Sequence, residues 1–273
     1  MPSEWCERDV RQIVTPDKGT WWLRGDAEAI EARIAAAYTR DEEDLEAFAR
    51  GDDLHTRTMC AMFKLPAPPV WSKAAINASP ECEAWRREVQ WGGESDRRRH
   101  ACKSFRYAWQ YAVDERGVLL VKDLHTLGLT PEEILSYARQ YARAKPAFFA
   151  GRREHMNRCV LLRESRTFLG RKRALWGSPS RPAERREMMK HGWAHMVSGS
   201  VSDIVNIVVR DWWRAFNGES WLISNGYDSL EMGFLDTLKP DEVLPRVREI
   251  AERDWDVEGV TVRLPWSWSV VTP

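Results

Sequence analysis

The sequence predicts an α+β fold, in which helices pack with an antiparallel sheet. Three observations lead there. Trp221–Phe234 reads as a hairpin of two apolar runs that turn through Asp228. Thr20-Trp-Trp-Leu-Arg-Gly-Asp26 is a second short apolar run, and it ends on an acid. Between and after them lie segments with helical apolar spacing and recognisable ends.

In chain order, Val10–Arg24 reads as two short strands broken by the turn cluster Thr15-Pro-Asp-Lys-Gly19. Ala27–Tyr38 is expected to be a helix with Ile30 and Ile34 on one face and Glu31 one step round. Asp41–Arg50 reads as an acidic helix stopped by Gly51, and His55–Phe63 as another. Pro66-Ala-Pro-Pro69 breaks the pattern, and Ser72–Gly93 reads as a loop or surface insertion with a short helix near Cys82–Val89. Asp96–Val113 is a clear helix: Ala101, Phe105, Ala108 and Ala112 make an apolar stripe, and Arg99, Lys103 and Arg106 a cationic one. Thr130-Pro-Glu-Glu133 is a capping box with proline at the first helical position, opening a helix to about Ala144. Glu184–Trp213 reads as helical but interrupted at Gly199; after the hairpin come a helix over Pro240–Asp254 and a strand near Thr261–Leu264.

With 273 residues and 43% hydrophobic content, the chain can build a sizeable core. It has no apolar run able to span a bilayer and no signal peptide. Cys6, Cys60, Cys82, Cys102 and Cys159 are odd in number and lack CxxC spacing. That argues against disulfides and a zinc ribbon, and for a cytoplasmic location, that of a host if the protein is viral. Net charge is zero but unevenly spread. Asp26–Asp53 carries ten acids against three arginines, and Arg152–Lys190 twelve basic residues against four acids. A basic half opposite an acidic one suits an anionic polymer together with cations.

Two acids at neighbouring strand ends, Asp26 and Asp228, are what a two-metal centre for phosphoryl transfer requires. Asp26 and Glu31 taken alone read as no more than an exposed acidic helix entrance. More specific is Arg99-x-x-x-Lys103-x-x-x-Tyr107-x-x-x-Tyr111. The spacing of four aligns two cations, able to clamp a triphosphate, with two aromatics, able to stack on a base or sugar.

In this order the motifs resemble those of the palm and fingers of a family A DNA polymerase, the family of bacterial DNA polymerase I. Val10-Arg-Gln-Ile-Val-Thr-Pro-Asp17 and Gly25-Asp-Ala-Glu-Ala-Ile-Glu-Ala-Arg33 resemble the first catalytic motif and the strands leading in. Arg99, Lys103, Tyr107 and Tyr111 match the fingers helix. Thr167-Phe-Leu-Gly-Arg171 resembles the threonine…glycine-arginine turn, and Gly199-Ser-Val-Ser-Asp-Ile204 the palm helix before the last motif. Tyr227-Asp-Ser229 stands in place of the final His-Asp-Glu.

The resemblance implies a palm over 1–63 and 166–273, with its last motif at 225–231, and fingers over 64–165 carrying the nucleotide-binding helix 96–113. Thumb and exonuclease domains are expected to be absent, since about two dozen residues precede Asp26. Asp26, Asp228 and the Ala27 carbonyl would ligate two Mg²⁺ ions. His55, Arg99 and Lys103 would hold the phosphates of the incoming dNTP, with Lys103 the acid that protonates pyrophosphate. Glu31 would exclude a ribose 2′-hydroxyl and hydrogen-bond Tyr111, and Tyr107 would face the sugar, in the form that accepts dideoxynucleotides. Arg171, Ser198 and Tyr227 would touch primer-template DNA, and a second chain would supply the thumb.

The chain departs from the pattern at several points. Ser229 removes the second acid of the last motif; Glu28 and Ala29 replace Ser-Gln; Ala112 replaces a glycine; Ser198 replaces a glutamine; Arg106 replaces an asparagine; Leu65–Asp96 is longer. His191-x-x-x-His195 has metal-ligand spacing, but Gly192 stands where a zinc protease has its glutamate, so a structural or DNA-facing pair is expected. No Walker A motif is present. The reading is therefore an enzyme of template-directed DNA synthesis; the alternative is a non-catalytic DNA-binding or assembly subunit derived from a polymerase core.

Overall fold

The computed structural model describes residues 15–273. The Val10–Val14 part of the first expected strand, the start of the first motif and Cys6 lie outside the described residues. Two compact units result: the described residues up to Glu31 with Ser198–Pro273, and Ala32–Val197.

The strands are β1 (Thr20–Ala27), β2 (Glu164–Arg166), β3 (Lys172–Ala174), β4 (Ser220–Asn225), β5 (Ser229–Leu235), β6 (Asp254–Val257), β7 (Val260–Arg263) and β8 (Trp266–Val271). The first unit is built on an antiparallel sheet of order β4-β5-β1-β8. Period-two alternation sorts its residues. Trp21 and Leu23, opposite Phe234 and Met232, are buried with Trp212 and Phe216 and with Val243 and Val247 of the Pro240–Ala251 helix. Trp21 stacks on Phe234 with ring centroids 4.7 Å apart. Trp22, Arg24 and Asp26 take the opposite face. β6 and β7 form a separate hairpin, so the expected strand at Thr261–Leu264 is half of a two-stranded unit. On its other edge from β5, β1 pairs with β8, which the sequence reading omitted.

The second unit is helical. Asp41 caps Glu42–Ala49 and Asp53 caps Leu54–Phe63, each accepting a backbone N–H in the first turn. The capping box at Thr130 opens Pro131–Ala144, with both reciprocal bonds formed. Met59, Phe105, Trp109 and Ile134 are core of this unit. Within Ser72–Gly93 the expected short helix is present as Glu83–Glu88, but a second helix, Lys73–Ala78, precedes it, and Ile76 and Trp85 are buried in that core rather than on a surface insertion. Two well-placed apolar residues anchor the segment although its periodicity is poor.

The Pro146–Leu162 helix was not anticipated; its Gly151 lies where an added Cβ would come within 2.9 Å of the Thr39 Cα, a close helix approach. The Pro182–Ala215 helix runs 34 residues straight through Gly199, so the expected interruption does not occur. One glycine costs an interior helix only about 1 kcal/mol relative to alanine, and Val197, Ser200 and Val201 around it are buried. Arg106 leaves the expected cationic stripe to reach buried Asp44 at 2.8 Å. No helix among the described residues is long and apolar enough to cross a membrane.

Candidate active site

Asp26 lies near the end of β1, where its Cα pairs across the sheet with Ser229 of β5 and, on the other side, with Ser267 of β8. The next residue, Ala27, donates its N–H to the Asp228 carbonyl at 2.8 Å, and Glu28 donates to the Pro265 carbonyl at 2.9 Å. The chain leaving β1 is thus tied on both sides, and Asp26 and Asp228 line one polar hollow of about 590 Å³ with Ser229, Glu231, Ser267 and Trp268.

Within the same hollow Arg24 pairs with Glu231 at 2.6 Å. Glu231 is two residues beyond Ser229 and shares its sheet face, an acid that strand periodicity alone could have flagged. Mg²⁺ is commonly held by one or two carboxylates, with water and substrate phosphates completing the octahedron. Two aspartates in an open polar hollow fit that chemistry. Among the described residues no group of three or more His, Cys, Asp or Glu is placed for a metal ion.

Glu31 lies in the first turn of the helix Ile30–Thr39. Its Oε1 accepts from the Tyr227 hydroxyl at 2.6 Å and from Ser198 Oγ at 3.1 Å. Tyr227 is exposed as a residue, but desolvation of its hydroxyl, reinforced by the bond to Glu31, pushes it above its ordinary pKa, so it stays protonated and donating. Residues 196 positions apart make this contact, and no local pattern announces it.

In the helical unit, Asp53 ties Arg99 of the Glu94–Tyr111 helix to the start of the Leu54–Phe63 helix. Its carboxylate accepts two bonds from Arg99, at 2.7 and 3.0 Å, another from Thr56 at 2.8 Å, and caps the Leu54–Phe63 helix at the His55 N–H. Burial would raise the Asp53 carboxyl, but the bonds and charge of Arg99 outweigh it and hold it below the usual range. His55 is pushed down to about 3, first by burial and then by the charges of Arg106, Arg99 and Lys103, so its imidazole is neutral. Its Nδ1 is buried with no hydrogen-bond partner. The His55 and Tyr107 rings lie 6.2 Å apart, and Lys103, exposed, holds its Nζ 5.9 Å from the Tyr107 ring centroid. Tyr111 ends the Glu94–Tyr111 helix, half-buried. Asp53 itself was missed, although an aspartate directly before an apolar run is an N-cap signal.

Arg171 sits at the tip of the β2–β3 hairpin, where its N–H bonds Thr167 Oγ1 at 3.1 Å and Gly170 takes φ 88°. His195 is buried against Ser165 Oγ at 3.1 Å, whereas His191 is exposed and pairs with Glu187 at 3.3 Å. The two histidines thus have separate partners within the helical unit. Cys60, Cys82, Cys102 and Cys159 are free and buried; burial pushes the Cys60 thiol up to about 11 and Cys102 to about 12, which leaves them inert.

The acidic helix is less solvated than its composition implies. Asp44 is buried between Arg106, at 2.8 Å, and Lys145, at 2.7 Å. Lys145 also lies 3.8 Å from Asp41. These cations were not linked to that helix in the sequence, because the partners lie about 60 and 100 positions away.

No protein-family model matches the chain, and no curated protein matches it. Among solved structures it is similar to the POL domain of Pol1 from M. smegmatis, in a complex with DNA primer-template and dNTP. The TM-score is 0.73 at 21% identity, over 96% of this chain and 41% of that one. The chain therefore has the fold of a DNA polymerase POL domain along nearly its whole length, and it spans about two fifths of the length of the chain it matches.

Proposed function

We propose that the chain carries out template-directed DNA synthesis, adding dNTP units to a primer 3′-hydroxyl. One observation carries this reading: Asp26 and Asp228 are tied across adjacent strands into one hollow, in a chain with a polymerase fold. Asp26, Asp228 and the Ala27 carbonyl would hold two Mg²⁺ ions. When bound, the ions would activate the primer hydroxyl and offset the charge of the departing pyrophosphate.

The remaining roles fall to side chains. Exposed Lys103 would bind the triphosphate and deliver a proton to the pyrophosphate. Neutral His55 would act as a hydrogen-bond donor to phosphate rather than as a cation. Arg99, gripped by Asp53, would present the rest of its guanidinium in one orientation. Tyr107 and Tyr111 would flank the sugar and base, and Glu31 would exclude a ribose 2′-hydroxyl. Arg171, Ser198 and Tyr227 would contact the primer-template. In this scheme 1–63 and 166–273 act as palm and 64–165 as fingers, and a second chain carries the thumb.

A second reading, a non-catalytic DNA-binding subunit, draws on Ser229 in place of an acid and on the engagement of Arg99 by Asp53. Primer extension in Mg²⁺, with and without a thumb-bearing partner, separates the two. Extension by the mixture supports the enzyme; DNA binding without extension under every condition supports the subunit.

A further inference from the structure

We propose that Tyr227 is a specificity-determining residue that positions the Glu31 carboxylate and thereby sets discrimination between deoxyribo- and ribonucleoside triphosphates. The inference rests on the reading of Glu31 given above. It goes beyond it by assigning the control of that carboxylate to the residue beside Asp228.

The geometry is specific. Two donors converge on the same oxygen, Tyr227 OH at 2.6 Å and Ser198 Oγ at 3.1 Å from Glu31 Oε1. The tyrosine bond is short and charge-assisted, the stronger class of hydrogen bond. A glutamate side chain has several rotatable bonds and gives up much rotamer freedom when it is fixed. Tyrosine has a stiff ring on two torsions, so it is the better anchor. Its anchor point is also well placed. Tyr227 directly precedes Asp228, whose carbonyl holds the Ala27 N–H, and Glu31 follows Ala27 by four residues. Any sugar-facing carboxylate at Glu31 is thus registered to the two aspartates through Tyr227 as well as along the chain.

A carboxylate that excludes a hydroxyl by occupying its space works only if it stays in place. Releasing it lets Glu31 swing aside and admits the 2′-hydroxyl. Tyr227→Phe keeps the ring and removes the bond.

The test compares kcat/KM for dATP and ATP in primer extension by the full chain with a thumb-bearing partner. Wild type, Tyr227→Phe, Glu31→Ala and the double variant are each first verified as folded by circular dichroism. Loss of one bond to a charged acceptor predicts a fall of roughly tenfold in the dATP/ATP ratio for Tyr227→Phe. Glu31→Ala is expected to lower the ratio further, and in its background Tyr227→Phe is expected to add nothing. If Glu31→Ala relaxes selection while Tyr227→Phe does not, the inference is overturned and the reading of Glu31 survives. If neither changes the ratio, both are overturned. Binding of the two triphosphates, read by intrinsic tryptophan fluorescence, repeats the comparison without turnover; an unchanged ratio there in Tyr227→Phe also overturns the inference.

Discussion

The N–H of Ala27 donates to the carbonyl of Asp228 at 2.8 Å, so the residue after one aspartate is fastened to the backbone of the other. The backbone of Asp228, in the turn between β4 and β5, is therefore held against the end of the strand that carries Asp26. Gly25 sits just before this junction. A Cβ there would fall 2.2 Å from the Trp268 ring, whose Nε1 is held by Glu252 at 3.0 Å. Gly25→Ala should thus cost about 1–3 kcal/mol by overpacking and displace Asp26. Thermal melting should show a drop of several degrees, and extension should fall with it.

Asp53 couples capping of the Leu54–Phe63 helix to Arg99 of the Glu94–Tyr111 helix. Asp53→Ala removes a cap and strands Arg99, for an expected loss of about 2–4 kcal/mol in chemical denaturation. The Asp53 carboxyl is held below its ordinary value when folded, so its contribution is present above the unfolded pKa and disappears as pH falls through the folded one. A destabilisation by Asp53→Ala that is independent of pH between neutral and strongly acid would contradict the ion-pair account.

Asp41 and Asp44, one helical turn apart, are perturbed in opposite directions. Burial and the neighbouring Asp44 charge raise the Asp41 carboxyl, with Lys145 opposing. For Asp44 burial is outweighed by Arg106 and Lys145, and its carboxyl is lowered. A raised acid destabilises the folded state at neutral pH, so Asp41→Asn, which also keeps an N-cap, should raise the melting temperature at pH 7. The gain should fade as pH falls toward the ordinary carboxyl range. Asp44→Asn should lower the melting temperature at pH 7, by an amount that shrinks in acid. Equal signs for the two variants at pH 7 would refute the assignment.

Lys103 is exposed, so Lys103→Ala should change stability by less than about 0.5 kcal/mol. As a general acid its loss should slow extension by roughly 10²-fold or more. Tyr107→Phe should lower the use of dideoxynucleotides relative to dNTP; identical ratios for the two forms would remove Tyr107 from the sugar.

The parts of this molecule that carry local signals were readable. Thr130-Pro-Glu-Glu133 announces its helix because both capping bonds are made within four residues. The hairpin at Trp221–Phe234 shows as paired apolar runs around a Gly-containing turn. β8 was not read, although Trp266-Ser-Trp-Ser alternates as a strand does, because it follows Pro265 as a short tail. The Pro146–Leu162 helix lacks a clear apolar stripe in the sequence, because its buried face of Phe148, Arg152, Met156, Cys159 and Val160 includes an arginine while Leu161 and Leu162 are exposed. The candidate residues were readable as an ordered series, but the long-range bonds made in each unit were not. Arg99 with Asp53, Tyr227 with Glu31, and Lys145 with Asp44 join residues far apart in sequence, and only the folded chain brings their partners together.

The central claim is that Asp26 and Asp228 form a nucleotidyl-transfer site. Its most direct test is single-turnover primer extension in Mg²⁺ with a thumb-bearing partner, comparing wild type with Asp228→Ala, the variant confirmed as folded and bound to primer-template. Extension by wild type and its loss in Asp228→Ala is the predicted result. Equal extension by the two proteins, whether fast or vanishingly slow, would contradict it.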